Sequence, residues 1–155
     1  MSYVAGILQP GERVLAVGRL HWMIYEDAVI ALIVSICFFW LALHYRQSFQ
    51  AMMAMTVVGL FLLGAAACLA VAAWFDQWIT EIAVTNLRVI YKRGFIRRHT
   101  AEMNMDKIES VTVNQSILGR ILDYGTIHVR GTGEGIEHLH KVRAPIELRN
   151  CITAR

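Results

Sequence analysis

The densest group of basic side chains in the sequence falls within twelve residues. Clustered cations of this kind bind phosphate groups, and next to a membrane they bind anionic lipid headgroups. A solvated hairpin with ordinary surface charges is the alternative, because the formal net charge of the chain is only +3. A nucleic-acid site needs a longer basic stripe or an aromatic stacking platform, so we expect no nucleic-acid partner. The cluster consists of Arg88, Lys92, Arg93, Arg97, Arg98 and His99.

Other patterns that suggest chemistry are weaker. His138 and His140 share one face of a predicted strand, but His128 and Cys151 lack the spacing of further metal ligands, so we expect no metal. The glycine-rich run at residues 131–135 lacks the lysine of a phosphate loop and predicts a turn. The serines have no recognisable base partner. We therefore expect no catalysis, no cofactor and no small-molecule substrate.

Two long uncharged runs dominate the composition. The chain has 155 residues, of which 56% are hydrophobic and 17% charged, and this excludes a purely soluble globule. Residues 51–75 form a helix of roughly 37 Å, enough to cross a hydrocarbon core of about 30 Å. Residues 28–43 reach only roughly 24 Å and must recruit boundary residues at 23–25 and 44–45. We predict a transmembrane helical hairpin over residues 22–75, with helices at about 23–45 and 51–75.

The basic residues around the hairpin predict its orientation. Arg13 and Arg19 precede the helices and Arg46 alone lies between them, whereas Arg88, Lys92 and Arg93 follow closely. Because loops rich in lysine and arginine stay in the cytoplasm, we expect both termini to be cytoplasmic. Aromatic residues that favour the membrane interface flank both runs: Trp22, Tyr25, Trp40, Tyr45, Trp74 and Trp78.

Small residues recur at every fourth position of the second run. Gly64, Cys68 and Ala72 form a stripe that permits close helix packing. The stripe is expected either to pack against the first helix or to form a homo-oligomer contact, and the sequence does not separate the two. The three cysteines are scattered and indicate no disulfide framework.

The chain after the hairpin, residues 76–155, has the pattern of a β domain. Ser116 is expected to cap a short helix whose apolar side is Ile117, Leu118, Ile121 and Leu122. Pro145 is suited to the first turn of a last helix, with Leu148, Cys151 and Ile152 on one side. Residues 1–21 are able to add a strand at the edge of the sheet. The predicted strands are residues 78–85, 87–92, 95–103, 108–115, 125–131 and 135–142.

The order of several segments resembles the bacterial membrane-anchored PH-like proteins, also called the DUF304 or YdbS-like family. The segments are residues 85–94 (TNLRVIYKRG), 107–111 (KIESV), 115–127 (QSILGRILDYGTI) and 131–133 (GTG). The resemblance covers nearly the whole chain. Asp123 stands where a glycine is expected before the Tyr-Gly pair, which affects the local turn.

The resemblance implies an α+β membrane protein of the bacterial inner membrane. Its fold would be the two-helix transmembrane hairpin followed by a PH-like, partly open β-barrel of about seven strands with a C-terminal capping helix. The expected domains are a cytoplasmic N-terminal segment (residues 1–21), the hairpin (22–75) and a cytoplasmic PH-like domain (76–155).

Because a scaffold does not transmit a ligand, the fold leaves several functions open. We expect a non-catalytic interaction or scaffold module that assembles with itself or binds a membrane-protein partner. A sensor of anionic lipid headgroups is the first alternative, because the comparable hairpin of eukaryotic relatives holds phosphoinositides. Its candidate site is Arg88, Lys92, Arg93, Arg97 and Arg98. An accessory subunit of a transport or envelope complex is the second alternative.

Overall fold

The structure is a computed structural model that describes residues 6–94, 99–132 and 136–154. The chain forms two compact units, one from the residues up to Met23 together with those from Asp76 onward, and one from Ile24 to Phe75. We call them the β unit and the helical unit. The elements within the described residues are β1 (Val14–Gly18), α1 (Glu26–His44), α2 (Phe49–Ile79), β2 (Glu81–Thr85), β3 (Arg88–Arg93), β4 (His99–Asn104), β5 (Ile108–Asn114), α3 (Ile117–Ile121), β6 (Tyr124–Gly131), β7 (Ile136–Arg143) and α4 (Pro145–Thr153).

The helical unit is a hairpin in which small residues let α1 and α2 approach closely. The Ser35 hydroxyl is fully buried and donates a hydrogen bond of 2.8 Å to the carbonyl of Gly59. A Cβ atom at Gly59 would lie 3.3 Å from the ring of Phe39, so the ring occupies the space that glycine leaves free. Apolar surroundings strengthen such a hydrogen bond, because their dielectric constant is low. The other buried residues are Ala28, Ala42, Ala66 and Ala73.

The predicted stripe of Gly64, Cys68 and Ala72 does not make this contact. All three residues are exposed, and no atom lies within 4 Å of a Cβ built at Gly64. At about 100° per residue, the stripe lies on the opposite side of α2 from Gly59 and Ala66. Packing against α1 is therefore made by a different set of small residues, and none of the described residues covers the stripe.

Both helices are long and apolar enough to cross a membrane. The candidate spans are Trp22–His44, with 23 residues, and Phe49–Ile79, with 31 residues. The second helix is longer than expected, because the helical hydrogen bonds continue until the amide of Thr80 donates to the carbonyl of Asp76 at 3.2 Å. The predicted strand at residues 78–85 is therefore wrong in its first residues, and β2 begins only at Glu81.

The β unit consists of two antiparallel sheets that enclose one core. Strands β1-β2-β3-β4 form the first sheet and β5-β6-β7 the second. The period-2 pattern of β6 is confirmed, since Ile127 and Val129 are buried while their neighbours His128 and Arg130 are not. The core side chains that are at most 5% exposed are Ile82, Val84, Val89, Ile127, Val129, Leu139, Val142, Leu148 and Ile152.

The C-terminal helix α4 closes one side of this core. Pro145 occupies the beginning of the helix, where its missing amide proton costs no intrahelical bond. Leu148 and Ile152 are buried on the side predicted from the sequence, and Cys151 packs against the core beside them. The helix contacts strands of both sheets, namely β1, β2, β5 and β6.

The first sheet receives its outermost strand from the N-terminal segment. Strand β1 pairs antiparallel with β2, with Val17 opposite Ala83 and Gly18 opposite Ile82. Beyond β1, Leu20 forms an isolated bridge with Val142 and so links the first sheet to the second. Because β1 precedes the two long helices and β2 follows them, the hairpin is an insertion into the connection between two neighbouring strands.

Candidate functional site

Arg88, the first residue of the predicted basic site, is held in a network of ion pairs. Its guanidinium donates from Nε to Glu12 Oε1 and from Nη2 to Glu12 Oε2, both at 3.0 Å. Nη1 donates to Glu102 Oε2 at 2.7 Å, and Nη2 also donates to the carbonyl of Ile7 at 2.8 Å. The side chain of Glu12 is fully buried and that of Arg88 is 12% exposed. This guanidinium therefore connects the N-terminal segment to the sheet and does not project into solvent.

The turn that leads into β3 binds the same N-terminal segment. The Thr85 hydroxyl donates to Glu12 Oε1 at 2.7 Å. The side chain of Asn86 accepts from the amide of Arg13 at 2.8 Å and donates to the carbonyl of Gly11 at 3.4 Å. Three of the first four residues of the TNLRVIYKRG segment, Thr85, Asn86 and Arg88, thus bind residues 11–13, a role that the sequence alone did not reveal.

The charges of this network are stable at neutral pH. Burial alone would raise the pKa of Glu12, but hydrogen bonds from the Gln9 amide, Arg88 and Thr85 outweigh it, and the pKa lies below its usual value. The hydrogen bond with Glu12 in turn raises the pKa of Arg88 despite its burial. Both groups stay ionised, and each satisfies the other.

The other described residues of the predicted basic site are Lys92 and Arg93, which lie on opposite faces of β3. Arg93 lies on the opposite face of β3, and its Nη2 is 3.3 Å from Asp76 Oδ2, with both side chains about half exposed. Lys92 shares the face of Arg88 and is half-buried. Arg97 and Arg98 lie outside the described residues.

An open groove lies at the end of the β unit where the chain leaves for the helices and returns from them. Its cavity of about 830 Å³ is in the size range of ligand sites in proteins. Apolar side chains of β1 and Ile82 form part of its wall, and charged side chains from distant parts of the sequence line the rest. We call it the corner groove, and its defining residues are Val17, Arg19, His21, Trp22, Gln77, Asp123 and Arg143.

His21 is a buried imidazole in the wall of the corner groove. Its ring stacks on Tyr124 at a centroid distance of 5.1 Å, and its Nδ1 accepts a hydrogen bond of 3.2 Å from the amide of Met23. Burial lowers the pKa of His21, and the positive charge of Arg143 lowers it further. The opposing effects of Asp123 and of a hydrogen bond to the backbone of Leu122 are smaller, so the ring is neutral at neutral pH.

Backbone strain concentrates at the same corner. Within the described residues, the non-glycine residues with positive φ are Asp123, Lys141 and Ala144, at 55°, 50° and 48°. The carbonyl of Asp123 accepts from the amide of Ala144 at 3.0 Å, and that of Lys141 accepts from the amide of His21 at 2.7 Å. Left-handed backbone favours glycine and tolerates aspartate, which explains how Asp123 fits where glycine was expected. Strain of this kind persists where the surrounding structure fixes it, often at binding sites.

Helix α3, next to the corner groove, differs from the sequence-based expectation. The predicted Ser116 cap is confirmed, since its hydroxyl accepts from the amide of Gly119 at 3.0 Å. The predicted apolar side does not face the core, however, because Ile117, Leu118 and Ile121 are all exposed. The described residues contain no group of three histidine, cysteine or acidic side chains able to hold a metal ion.

The sequence places the chain in a known family of domains. The family model for the bacterial PH domain matches residues 13–154, and the chain therefore belongs to the bacterial PH domain family. The match begins within one residue of β1, so it includes the strand that lies before the helices. No curated protein matches the chain. No solved structure matches it either.

Replacing Arg88 separates a structural role from a lipid-binding role. Arg88→Lys keeps the positive charge but loses the planar fork that pairs with Glu12 and Glu102. We expect the free energy of unfolding to fall by about 1–3 kcal/mol, the range for leaving buried hydrogen-bonding groups unsatisfied. Thermal unfolding in mild detergent measures the change, and Arg130→Lys, at an exposed position of β6, is the control. An unchanged unfolding temperature for Arg88→Lys would contradict the structural role.

The buried His21 predicts a loss of stability in acid. The folded protein holds the pKa of His21 below its usual value of 6.5, so below that pH the unfolded chain binds more protons. The free energy of unfolding should therefore decrease from pH 7 to pH 5, with a contribution from His21 of at most about 1.4 kcal/mol per pH unit. In His21→Gln this contribution should vanish, whereas the exposed His44→Gln should keep it. Equal pH profiles for His21→Gln and the unmodified protein would refute the prediction.

Proposed function

We propose that this protein is a non-catalytic interaction module anchored in the bacterial inner membrane by two crossings. In this proposal α1 and α2 span the bilayer, both chain termini are cytoplasmic, and the β unit binds a partner at the membrane surface. The observation that carries the proposal is the insertion of two sufficiently long apolar helices between β1 and β2 of a bacterial PH domain.

The pairing of β1 with β2 supports an even number of crossings. Gly18 lies opposite Ile82, so the connections to and from the helices leave the β unit side by side. A hairpin that crosses twice returns the chain to the side from which it started, as this pairing requires. The excess of arginine and lysine outside the loop between the helices supports the cytoplasmic side.

Self-assembly is the form of partner binding that the chain itself makes testable. The stripe of Gly64, Cys68 and Ala72 is exposed on the side of α2 that does not contact α1. Close packing of small residues is a common mode of helix association in bilayers. Confinement to a membrane also raises the effective concentration of the copies, so weak contacts suffice.

Sensing of anionic lipid by the β3–β4 hairpin is the weaker alternative. Arg88 is paired with Glu12 and Glu102, and Arg93 with Asp76, so these two guanidinium groups would have to exchange partners to bind a headgroup. An accessory subunit of a membrane transport or envelope complex would need the same anchor. Stoichiometric co-purification in mild detergent would identify that role.

The two-crossing anchor is tested by the sidedness of single cysteines. In a variant with Cys37, Cys68 and Cys151 replaced by alanine, one cysteine is introduced at Ser48 in the loop or at Glu109 in the β unit. A membrane-impermeant maleimide added outside spheroplasts should label position 48, and position 109 only after the cells are opened. Labelling of both positions from the same side would contradict the proposal.

The oligomer contact is tested with Cys68 as the only cysteine. Oxidation in the membrane should cross-link two copies if the stripe is the contact. Gly64→Leu should reduce the dimer, because the added side chain costs a packed interface about 1–3 kcal/mol. It should not disturb the hairpin, since nothing lies within 4 Å of a Cβ at this position. Ala67→Leu adds a leucine at an exposed position outside the stripe and is the control. Equal cross-linking of both variants would exclude this contact.

A further inference from the structure

The large aliphatic side chains of helix α3 are exposed, whereas a glycine of the helix packs against the rest of the β unit. Ile117, Leu118 and Ile121 are 80%, 58% and 72% exposed. Gly119 is buried on the other side, and a Cβ there would lie 2.7 Å from the carbonyl oxygen of Tyr124. This arrangement is the reverse of an ordinary surface helix, which turns its aliphatic residues toward the core.

Helix α3, which carries these exposed side chains, is fixed in position by hydrogen bonds. The amide group of Gln115 donates to the carbonyls of Gly119 at 3.3 Å and of Tyr124 at 3.1 Å. The Ser116 hydroxyl caps the first turn, and the amide of Leu122 closes the last turn by donating to Leu118 at 2.9 Å. The aliphatic side chains are therefore held in place by hydrogen bonds on both sides of the helix.

The position of α3 within the β unit indicates what covers these side chains. The backbone of Leu122, directly after α3, forms a hydrogen bond with His21. Leu122 also lines the corner groove together with Trp22, two residues before the helical unit begins, and Gln77, in the last turns of α2. Helix α3 thus lies at the end of the β unit from which both connections run to the helices.

The side chains around α3 match the surface of an anionic bilayer. Arg120 on α3 is exposed, as are Arg19 and Arg143 in the corner groove. Lys141 donates to the carbonyl of Met23 nearby, and the acids Asp123 and Glu81 also line the groove, so these four basic and two acidic groups leave an excess of two positive charges. Trp22 and Trp78 are also exposed at this end of the unit, and tryptophan favours the membrane interface.

We propose that α3 inserts into the interfacial region of the membrane that α1 and α2 cross. Ile117, Leu118 and Ile121 would enter between the headgroups, to the depth of about 5–10 Å that is typical of interfacial helices. Arg120, together with the arginines of the corner groove, binds anionic headgroups. The inference rests on the two-crossing anchor. It adds a third attachment of the β unit, beside its two connections, and so fixes the orientation of the unit on the membrane.

Site-specific fluorescence in the full chain tests this insertion. In the cysteine-free variant, Ile117→Cys and Ile121→Cys are each labelled with an environment-sensitive nitrobenzoxadiazole dye and reconstituted into phosphatidylcholine–phosphatidylglycerol vesicles. Leu63→Cys, in the middle of α2, is the reference for the bilayer interior. Glu109→Cys, on an exposed site seven residues, or roughly 23 Å, before Ser116 along an extended strand, is the reference for water.

Insertion predicts a blue shift of the dye emission at positions 117 and 121, and quenching there by lipids that carry a shallow spin label. Position 109 should show neither effect. Because positions 117 and 121 are labelled in separate variants, a disturbance of α3 by the dye at one position does not determine the result at the other. Dye at 117 and 121 that stays unshifted, or that shifts without lipid quenching because a second copy or another protein covers it, overturns the insertion.

The reference at position 63 separates this inference from the proposed function. Quenching at 63 by deeply labelled lipids, without quenching at 117 and 121, overturns the insertion of α3 and leaves the anchor standing. Absence of quenching at 63 overturns the anchor, and the inference falls with it.

Discussion

The buried ion pair between Glu12 and Arg88 is the interaction on which the β unit depends. It joins the segment before the helices to a strand after them, across 76 positions of sequence. A buried carboxylate and guanidinium are tolerable only when each satisfies the other, so removal of either leaves a charge without compensation. Thr85 and the Gln9 amide complete the shell of the carboxylate. The outermost strand β1 is thereby held at its beginning by charge and along its length by hydrogen bonds to β2.

This connection explains why Arg88, although it belongs to the basic cluster of the sequence, does not project into solvent. Arg88 is used to hold the domain together, and Arg93 pairs with Asp76 at the beginning of the β unit's second segment. Other charged side chains line the corner groove. The buried His21 and the strained backbone at Asp123, Lys141 and Ala144 lie at the same end of the β unit.

Features with local periodicity could be predicted from the sequence. The two apolar runs predicted α1 and α2, and the alternation around Ile127 and Val129 predicted β6. Pro145, together with Leu148 and Ile152, predicted α4. Contacts between distant residues could not, because nothing in one sequence pairs Glu12 with Arg88 or His21 with Leu122. The direction in which α3 faces could not be predicted for a related reason: the aliphatic pattern defines an apolar face, but only the close approach of Gly119 to Tyr124 shows which face is inside.

If α1 and α2 cross the membrane as proposed, the interruption of the β unit by the hairpin makes folding of the unit depend on insertion of the helices. During synthesis β1 leaves the ribosome first, and its partner β2 follows only after both long helices. In a chain anchored by these helices, a failed second insertion would strand β1 and β2 on opposite sides of the bilayer, where no sheet can form. The β unit would then be completed only in chains with correctly inserted helices, and incorrectly inserted chains would expose an unpaired strand to cellular quality control.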